Sequence, residues 1–151
     1  MNNLTEDCVS LDDTSAAHGD EGVFALLDAA RNIQGRLDAA LDAIGLSAAK
    51  YSALDQLVRS RDPLTLSELA ERLGCVRSNV TQLVDRLEAD GLVERVSHPD
   101  DRRAIRAMVT PLGAQRQAAG ADAIRAVRTE LASRLAPGER ELFLRVLSLL
   151  R

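Results

Sequence analysis

Residues 64–110 contain two short amphipathic segments joined by a glycine, followed by two stretches of alternating polarity that flank a charged run. In the first segment, Thr65 and Glu68 have the spacing of a capping box, which predicts a helix from Leu66 to Leu73. Gly74 can supply the positive φ that a sharp turn after a helix requires. This order of elements predicts a winged helix-turn-helix.

The second amphipathic segment predicts a helix over about residues 77–89. Its apolar residues recur at i, i+3, i+4 and i+7, so one narrow face is buried. The opposite face and its flanks carry short polar groups and arginines, namely Arg77, Ser78, Asn79, Thr81, Gln82, Asp85 and Arg86. Such side chains read base edges in the major groove of DNA. Any surface helix has a polar outer face, however, so this face favours DNA binding only in its context.

That context is a predicted hairpin, or wing, over about residues 92–109. Residues 92–96 and 104–109 alternate in polarity, and Asp101, Arg102 and Arg103 lie between them. The two arginines suit phosphate or a minor groove, while Asp101 would brace one of them through a charge-assisted hydrogen bond. The alternative interpretation of this run is a solvated, charged turn.

The runs SELAERLG, RSNVTQLVDRLEADGLVERV and PDDRR resemble the multiple antibiotic resistance regulator (MarR) family of bacterial transcription factors, and the resemblance covers about residues 21–151. It implies a mainly α fold with a small β-hairpin wing (α+β), in which a winged helix-turn-helix lobe joins a helical dimerisation lobe. It also implies a homodimer that binds double-stranded DNA, often a repressor released by a small molecule. The family's DNA contacts fall on Arg77, Ser78, Asn79, Thr81, Gln82, Arg86, Asp101 and Arg103, and we add Arg102 from the wing.

Two positions depart from the family pattern. Cys75 and Val76 replace the Val-Ser pair expected before the recognition helix, so its serine N-cap is missing, a loss of about 1 kcal/mol. We expect Ser78 to compensate only in part and the helix start to fray without DNA. Ala136 likewise stands where a capping Ser or Thr is expected before the last helix.

The flanking segments predict long helices with one apolar side. We assign residues 21–45 and 111–151 to dimerisation and residues 46–110 to DNA binding, with Thr110 and Pro111 starting a helix that runs to about Leu135. The alternative is that these helices extend the core of a monomer. A two-fold dimer predicts a pseudo-palindromic operator with half-sites about 10 base pairs apart.

Charge is unevenly distributed. The net charge is −4, but residues 1–30 hold seven acids and no Lys or Arg, so residues 31–151 carry +3. We expect residues 1–20 to be an acidic, disordered tail, and a local excess of arginine between Arg95 and Arg106 to serve the wing. No run of apolar residues is long enough to span a bilayer and no signal sequence is visible, which predicts a cytoplasmic protein without membrane contact.

The sequence contains no pattern typical of an enzyme. It has two histidines, His18 and His98, no cluster with metal-ligand spacing and no glycine-rich phosphate loop, so we predict no catalytic residue, metal or cofactor. A winged helix that binds proteins instead of DNA is the alternative class of function.

Two mechanisms are candidates for the control of DNA binding. A pocket for a phenolic or aromatic acid would use Arg31, Lys50 and Tyr51, although a tyrosine in a helix is more often a half-buried core residue. A redox switch would use a cysteine: acidic neighbours disfavour the thiolate of Cys8, while Cys75 lies at the start of the recognition helix. We favour the interpretation of Cys75 as a small buried hydrophobic residue.

Overall fold

The computed structural model describes residues 14–97 and 105–149, and the side chains among them from residue 21 onward. Within these residues the fold is mainly α with a small antiparallel sheet, as predicted. The elements in chain order are α1 (Thr14–Asp42), α2 (Ala48–Ser60), β1 (Leu64–Thr65), α3 (Leu66–Leu73), α4 (Arg77–Ala89), β2 (Val93–Ser97), β3 (Ile105–Val109), α5 (Pro111–Ser133) and α6 (Pro137–Ser148).

Helix α1 begins earlier than predicted. It starts at Thr14 rather than at residue 21, so part of the expected tail is helical, and residues 1–13 lie outside the described chain. Ala16 and Ala17 have high helix propensity, which accounts for the extension. The chain divides into two compact units, residues 1–35 and 36–151, and α1 is continuous through the division.

The predicted capping box of α3 is present. The Thr65 amide donates to Glu68 Oε2 (2.8 Å), and the Glu68 amide donates to Thr65 Oγ1 (3.2 Å). The hydrogen bonds from the backbone and side chain of Thr65 hold the pKa of Glu68 below its usual range. Gly74 ends the helix with φ 62°, so the turn that leads to α4 forms as predicted.

The sheet has three strands in the order β1-β3-β2. Strands β2 and β3 pair antiparallel, with Val93 opposite Val109 and Arg95 opposite Ala107. Strand β1 adds Leu64 opposite Ala107, and this strand was not predicted. Two residues are too short to show an alternating pattern, so only the fold reveals the pairing.

The hydrophobic core of the second unit lies between α2, α3, α4 and the sheet, and α5 closes it. Two glycines of α5 let this helix lie close to the Leu92 backbone and to Tyr51 of α2. A Cβ on Gly113 would lie 2.0 Å from the Leu92 carbonyl oxygen, and one on Gly120 would lie 2.6 Å from Tyr51 Cδ2. Thr110 caps α5 as predicted, because its hydroxyl oxygen accepts from the Gly113 amide (3.0 Å). At Ala136 the expected side-chain cap of α6 is missing, although its amide donates to Glu139 Oε2 (2.8 Å).

No helix in the described ranges is long and apolar enough to cross a membrane. A search of the same residues for three or more His, Cys, Asp or Glu side chains in a metal-binding arrangement finds none.

Candidate nucleic-acid interface

Helix α4 buries one face and exposes the other. Val80, Val84 and Leu87 pack into the core. The predicted contact residues lie on the solvent side, where Arg77, Ser78, Asn79, Gln82 and Arg86 are exposed and Thr81 is half-buried. The Thr81 hydroxyl donates to the Arg77 carbonyl (3.0 Å). The lone pairs of the Thr81 hydroxyl oxygen can still accept a hydrogen bond. The face can therefore present both donors and acceptors to a base edge.

The start of α4 lacks a side-chain cap, as predicted. Val76 occupies the N-cap position with φ −71° and ψ 144°, and its side chain is 63% exposed. Ser78 makes no side-chain hydrogen bond within the described residues, so it does not replace the missing cap. The Asn79 amide donates to the Val76 carbonyl (3.1 Å), whereas no side chain caps the first turn of α4. Uncapped amides at a helix start can donate to an anion such as a phosphate.

Arg95 of β2 is not a free cation of the wing. Its guanidinium donates to Asp85 and to Glu88, which lie three residues apart on α4. The hydrogen bond with Asp85, followed by the charge of Glu88, raises the pKa of Arg95 while burial lowers it. The excess of arginine predicted between Arg95 and Arg106 is therefore smaller than the sequence suggests, because two acids of α4 offset Arg95.

Strands β2 and β3 form the base of the predicted wing. Asp101, Arg102 and Arg103, the predicted tip, fall in the segment 98–104, which is outside the described residues. Their contact with DNA remains a prediction.

A groove of about 310 Å³ lies beside α4 and is lined by Ala49, Cys75, Asn79, Val80, Gln82, Leu83 and Arg86. Cys75 is exposed, with Sγ 3.4 Å from the Leu73 carbonyl oxygen. The interpretation of Cys75 as a buried hydrophobic residue is therefore wrong. The residue follows Gly74 in the turn, where the chain leaves the core before α4 begins.

A second cleft, of about 240 Å³, is lined by Gly45, Leu46, Lys50, Asp90, Leu92, Leu112 and Arg116. Lys50 Nζ lies 2.5 Å from Asp90 Oδ2, and this ion pair joins α2 to the end of α4. The Arg116 guanidinium donates to the Ile44 carbonyl. Two cations thus face one acid in the cleft, which leaves room for an anionic group.

The three predicted effector residues have different surroundings. Tyr51 packs its ring against Gly120, and burial, followed by the charge of Asp55, raises the pKa of its hydroxyl. Arg31, in the first unit, pairs with Asp28 (2.5 Å). Of the three, only Lys50 lines the cleft.

Comparison with known proteins shows which family this region resembles. Residues 44–104 match the family model described as "MarR family". The solved structure of YusO from Bacillus subtilis superposes with a TM-score of 0.76 at 24% identity, covering 92% of this chain and 97% of that one. The family model covers about two fifths of the chain, so over its winged helix-turn-helix region the chain resembles the MarR family.

Two further proteins resemble the chain, one in part of its sequence and one in its fold. The uncharacterised HTH-type transcriptional regulator YcgE of Bacillus subtilis is 38% identical over 79 residues, which are 52% of this chain and 49% of YcgE. The match thus spans about half of this curated relative. A mutant of MepR from Staphylococcus aureus, solved bound to an oligodeoxyribonucleotide, has a TM-score of 0.67 at 21% identity over 85% of this chain and 97% of that one. YcgE is described as a transcriptional regulator, which is the class of function that the sequence predicts for this chain.

Sequence reasoning missed the Asp85–Glu88–Arg95 cluster and the Lys50–Asp90 pair. The sequence did carry a signal for the Arg95 cluster, because Asp85 and Glu88 lie at i and i+3 on one side of a helix, a spacing that favours a cation nearby. Which of the 18 arginines would supply it depended on the position of β2 beside α4.

Proposed function

We propose that this chain is a member of the MarR family and acts as a sequence-specific DNA-binding transcriptional regulator. The observation that carries the proposal is the exposed face of α4, which combines two arginines with short polar side chains, while Val80, Val84 and Leu87 of the apolar stripe are buried in the core. A helix built to dock a protein would expose large apolar groups along that face. Here Val76, just before the helix, is the large apolar side chain that is exposed.

The chemistry of the face suits the major groove. Arg77 and Arg86 can donate in bidentate fashion to guanine, while Asn79 and Gln82 can bond adenine. Ser78 and Thr81 suit phosphates or base edges. In the wing, we propose that Arg102 and Arg103 reach phosphate or the minor groove and that Asp101 braces one of them.

Fluorescence anisotropy with duplexes from the DNA upstream of the protein's own gene tests this function. We expect saturable, salt-sensitive binding by the wild type and its loss in an Arg86→Ala, Arg103→Ala double variant, because both a base contact and a wing contact are removed. An Arg128→Ala, Arg140→Ala variant removes the same charge from α5 and α6 and should bind like the wild type. Equal binding to random DNA would favour the protein-interaction module instead.

We further propose that the active species is a homodimer that represses transcription from a pseudo-palindromic operator. Helix α6 supports the dimer, because it has no buried residue in the described chain and, together with its C-cap Leu149, it exposes large apolar side chains, namely Leu142, Phe143, Leu144, Val146 and Leu149. An apolar helix face of this kind is typical of a subunit interface. Repression follows if the bound dimer covers promoter sequence.

An effector of the aromatic or phenolic acid class is proposed for the cleft beside Lys50. An anion there would compete with Asp90 for Lys50 and meet Arg116, and Asp90 is the C-cap of α4. Binding would therefore change how the end of the recognition helix is held. Of the three effector residues predicted from the sequence, Lys50 is the one that lines this cleft, because Tyr51 lies against α5 and Arg31 pairs with Asp28.

One observation supports the alternative of a redox switch, namely that Cys75 is exposed just before the start of α4. Peroxide would then abolish operator binding reversibly in the wild type and leave Cys75→Ser unaffected. Unchanged binding of the peroxide-treated wild type would end this alternative.

A further inference from the structure

The Arg95 cluster, defined as Asp85 and Glu88 of α4 with Arg95 of β2, joins the recognition helix to the wing. The Arg95 side chain is 24% exposed, whereas those of Asp85 and Glu88 are 56% and 40% exposed. Arg95 lies on the same face of β2 as buried Val93 and opposite Ala107, which is fully buried. A guanidinium at such a position needs hydrogen-bonding partners, and α4 provides two.

Within the cluster, Arg95 pairs with acids of α4, whereas a view based on charge alone would assign this arginine to DNA. Arg95 donates to two carboxylates whose negative charges offset its own, so its attraction for a phosphate is weakened even though other N–H donors remain. Asp85 and Glu88, for their part, are acids on a helix that should approach a polyanion. Negative charges at this position weaken DNA binding, so we expect the two acids to have another role.

We propose that Arg95 is a positioning residue, which sets the orientation of α4 relative to the wing strand and does not itself contact DNA. The inference rests on the proposed DNA-binding function. Asp85 lies next to Arg86 and three residues after Gln82, two of the proposed base contacts. A rotation of α4 about its axis would move both of these side chains out of register with the base pairs.

The direction in which DNA affinity changes when both acids are removed tests the proposal. In an Asp85→Ala, Glu88→Ala variant two negative charges leave the DNA-facing lobe and Arg95 is set free, so electrostatics alone predicts tighter binding. Positioning predicts the opposite, a loss of about tenfold in affinity for the wild type's best upstream duplex, with binding to random DNA unchanged or stronger. Alanine is the best helix former, so unwinding of α4 would not explain a loss.

Arg95 variants provide the second arm. Arg95→Met should weaken specific binding to a similar extent without reducing the dependence of log Kd on log salt, whereas a lost phosphate contact reduces that slope by about 0.9. Arg95→Lys should restore part of the affinity, since one ion pair can re-form. As a matched control, Glu94→Gln removes an acid that makes no ion pair within the described residues, and it should not weaken binding.

Thermal unfolding without DNA checks the pairing itself. The Asp85→Ala, Glu88→Ala changes and Arg95→Met should be non-additive in their effects on Tm, because each breaks the same contacts. Tighter operator binding by the acid-free variant, a reduced salt slope in Arg95→Met, or additive effects on Tm would each overturn the proposal. A wild type that does not prefer any upstream duplex would instead refute the proposed function, and the positioning role with it.

Discussion

Lys50 and Tyr51 are neighbours in sequence whose side chains lie in different surroundings. Successive residues of a helix point about 100° apart, so Lys50 reaches the cleft and Asp90 while Tyr51 packs its ring on Gly120. The sequence suggested that both line one pocket. At the scale of single residues, the geometry of α2 separates a candidate ligand contact from a residue that packs against the core.

The proposed effector site gives a prediction at this scale. With 4-hydroxybenzoate at about 100 times its Kd, the Tm of the wild type should rise by on the order of 5–10 °C, because the ligand binds only the folded state. Lys50→Met should abolish the rise, measured against its own Tm by differential scanning fluorimetry. Tyr51→Phe, which removes only the hydroxyl, should keep it. A full rise in Lys50→Met would place the ligand elsewhere.

At the scale of elements, α3 and α4 differ in how they begin. Thr65 and Glu68 exchange hydrogen bonds at the start of α3, whereas Val76 leaves the start of α4 uncapped. The second helix is instead held at its far end, by Lys50 at Asp90 and by Arg95 at Glu88. The end that carries Arg77 and Ser78 is therefore the less constrained end, which suits a segment that completes its hydrogen bonds on phosphate.

Restoring the cap should stabilise α4. Val76 already has the extended φ and ψ of an N-cap, so in Val76→Ser the hydroxyl can accept from an amide of the first turn. We expect Val76→Ser to unfold about 2–4 °C above Val76→Ala in circular dichroism melts, which corresponds to about 1 kcal/mol. Val76→Ala is the matched control because it removes the same exposed apolar group without adding a cap. Equal Tm values for the two variants would contradict the prediction.

At the scale of the whole molecule, the apolar residues that remain exposed are concentrated on particular helices. Leu142, Val146 and Leu149 fall at i, i+4 and i+7 of the last helical segment, on one face. In the first unit, Val23, Phe24 and Leu27 of α1 are also exposed. Burying such surfaces against a second copy would release apolar area from water, at about 25 cal/mol per Å².

The proposed dimer gives a prediction at this scale. The wild type should sediment at twice the 16.3 kDa chain mass, and a Leu142→Glu, Val146→Glu variant should sediment as a monomer because like charges replace apolar contacts. The monomer should bind the upstream duplex at least about tenfold more weakly, since the two half-sites no longer act together. A Glu141→Gln, Arg145→Gln variant keeps the net charge and should remain dimeric. A wild-type monomer would support the alternative that these helices only extend the core.

Features that depend on near neighbours in the chain could be predicted. The capping box at Thr65, the turn at Gly74, the buried stripe of α4 and the missing cap at Val76 all follow from residues within a few positions of one another. The same patterns indicated the polar face of α4. The extent of α1 was underestimated, because its first turns carry no apolar stripe.

The tertiary structure alone decided the rest. It placed Arg95 between two acids of α4, exposed Cys75, brought β1 beside β3, and set the Leu92 carbonyl so close to α5 that residue 113 must be glycine. Each of these contacts joins groups whose approach depends on how the elements pack, and composition and periodicity do not encode that distance. The sequence by itself determined which helices form and which face of α4 meets water. Packing determined which charges on that face remain available to a partner.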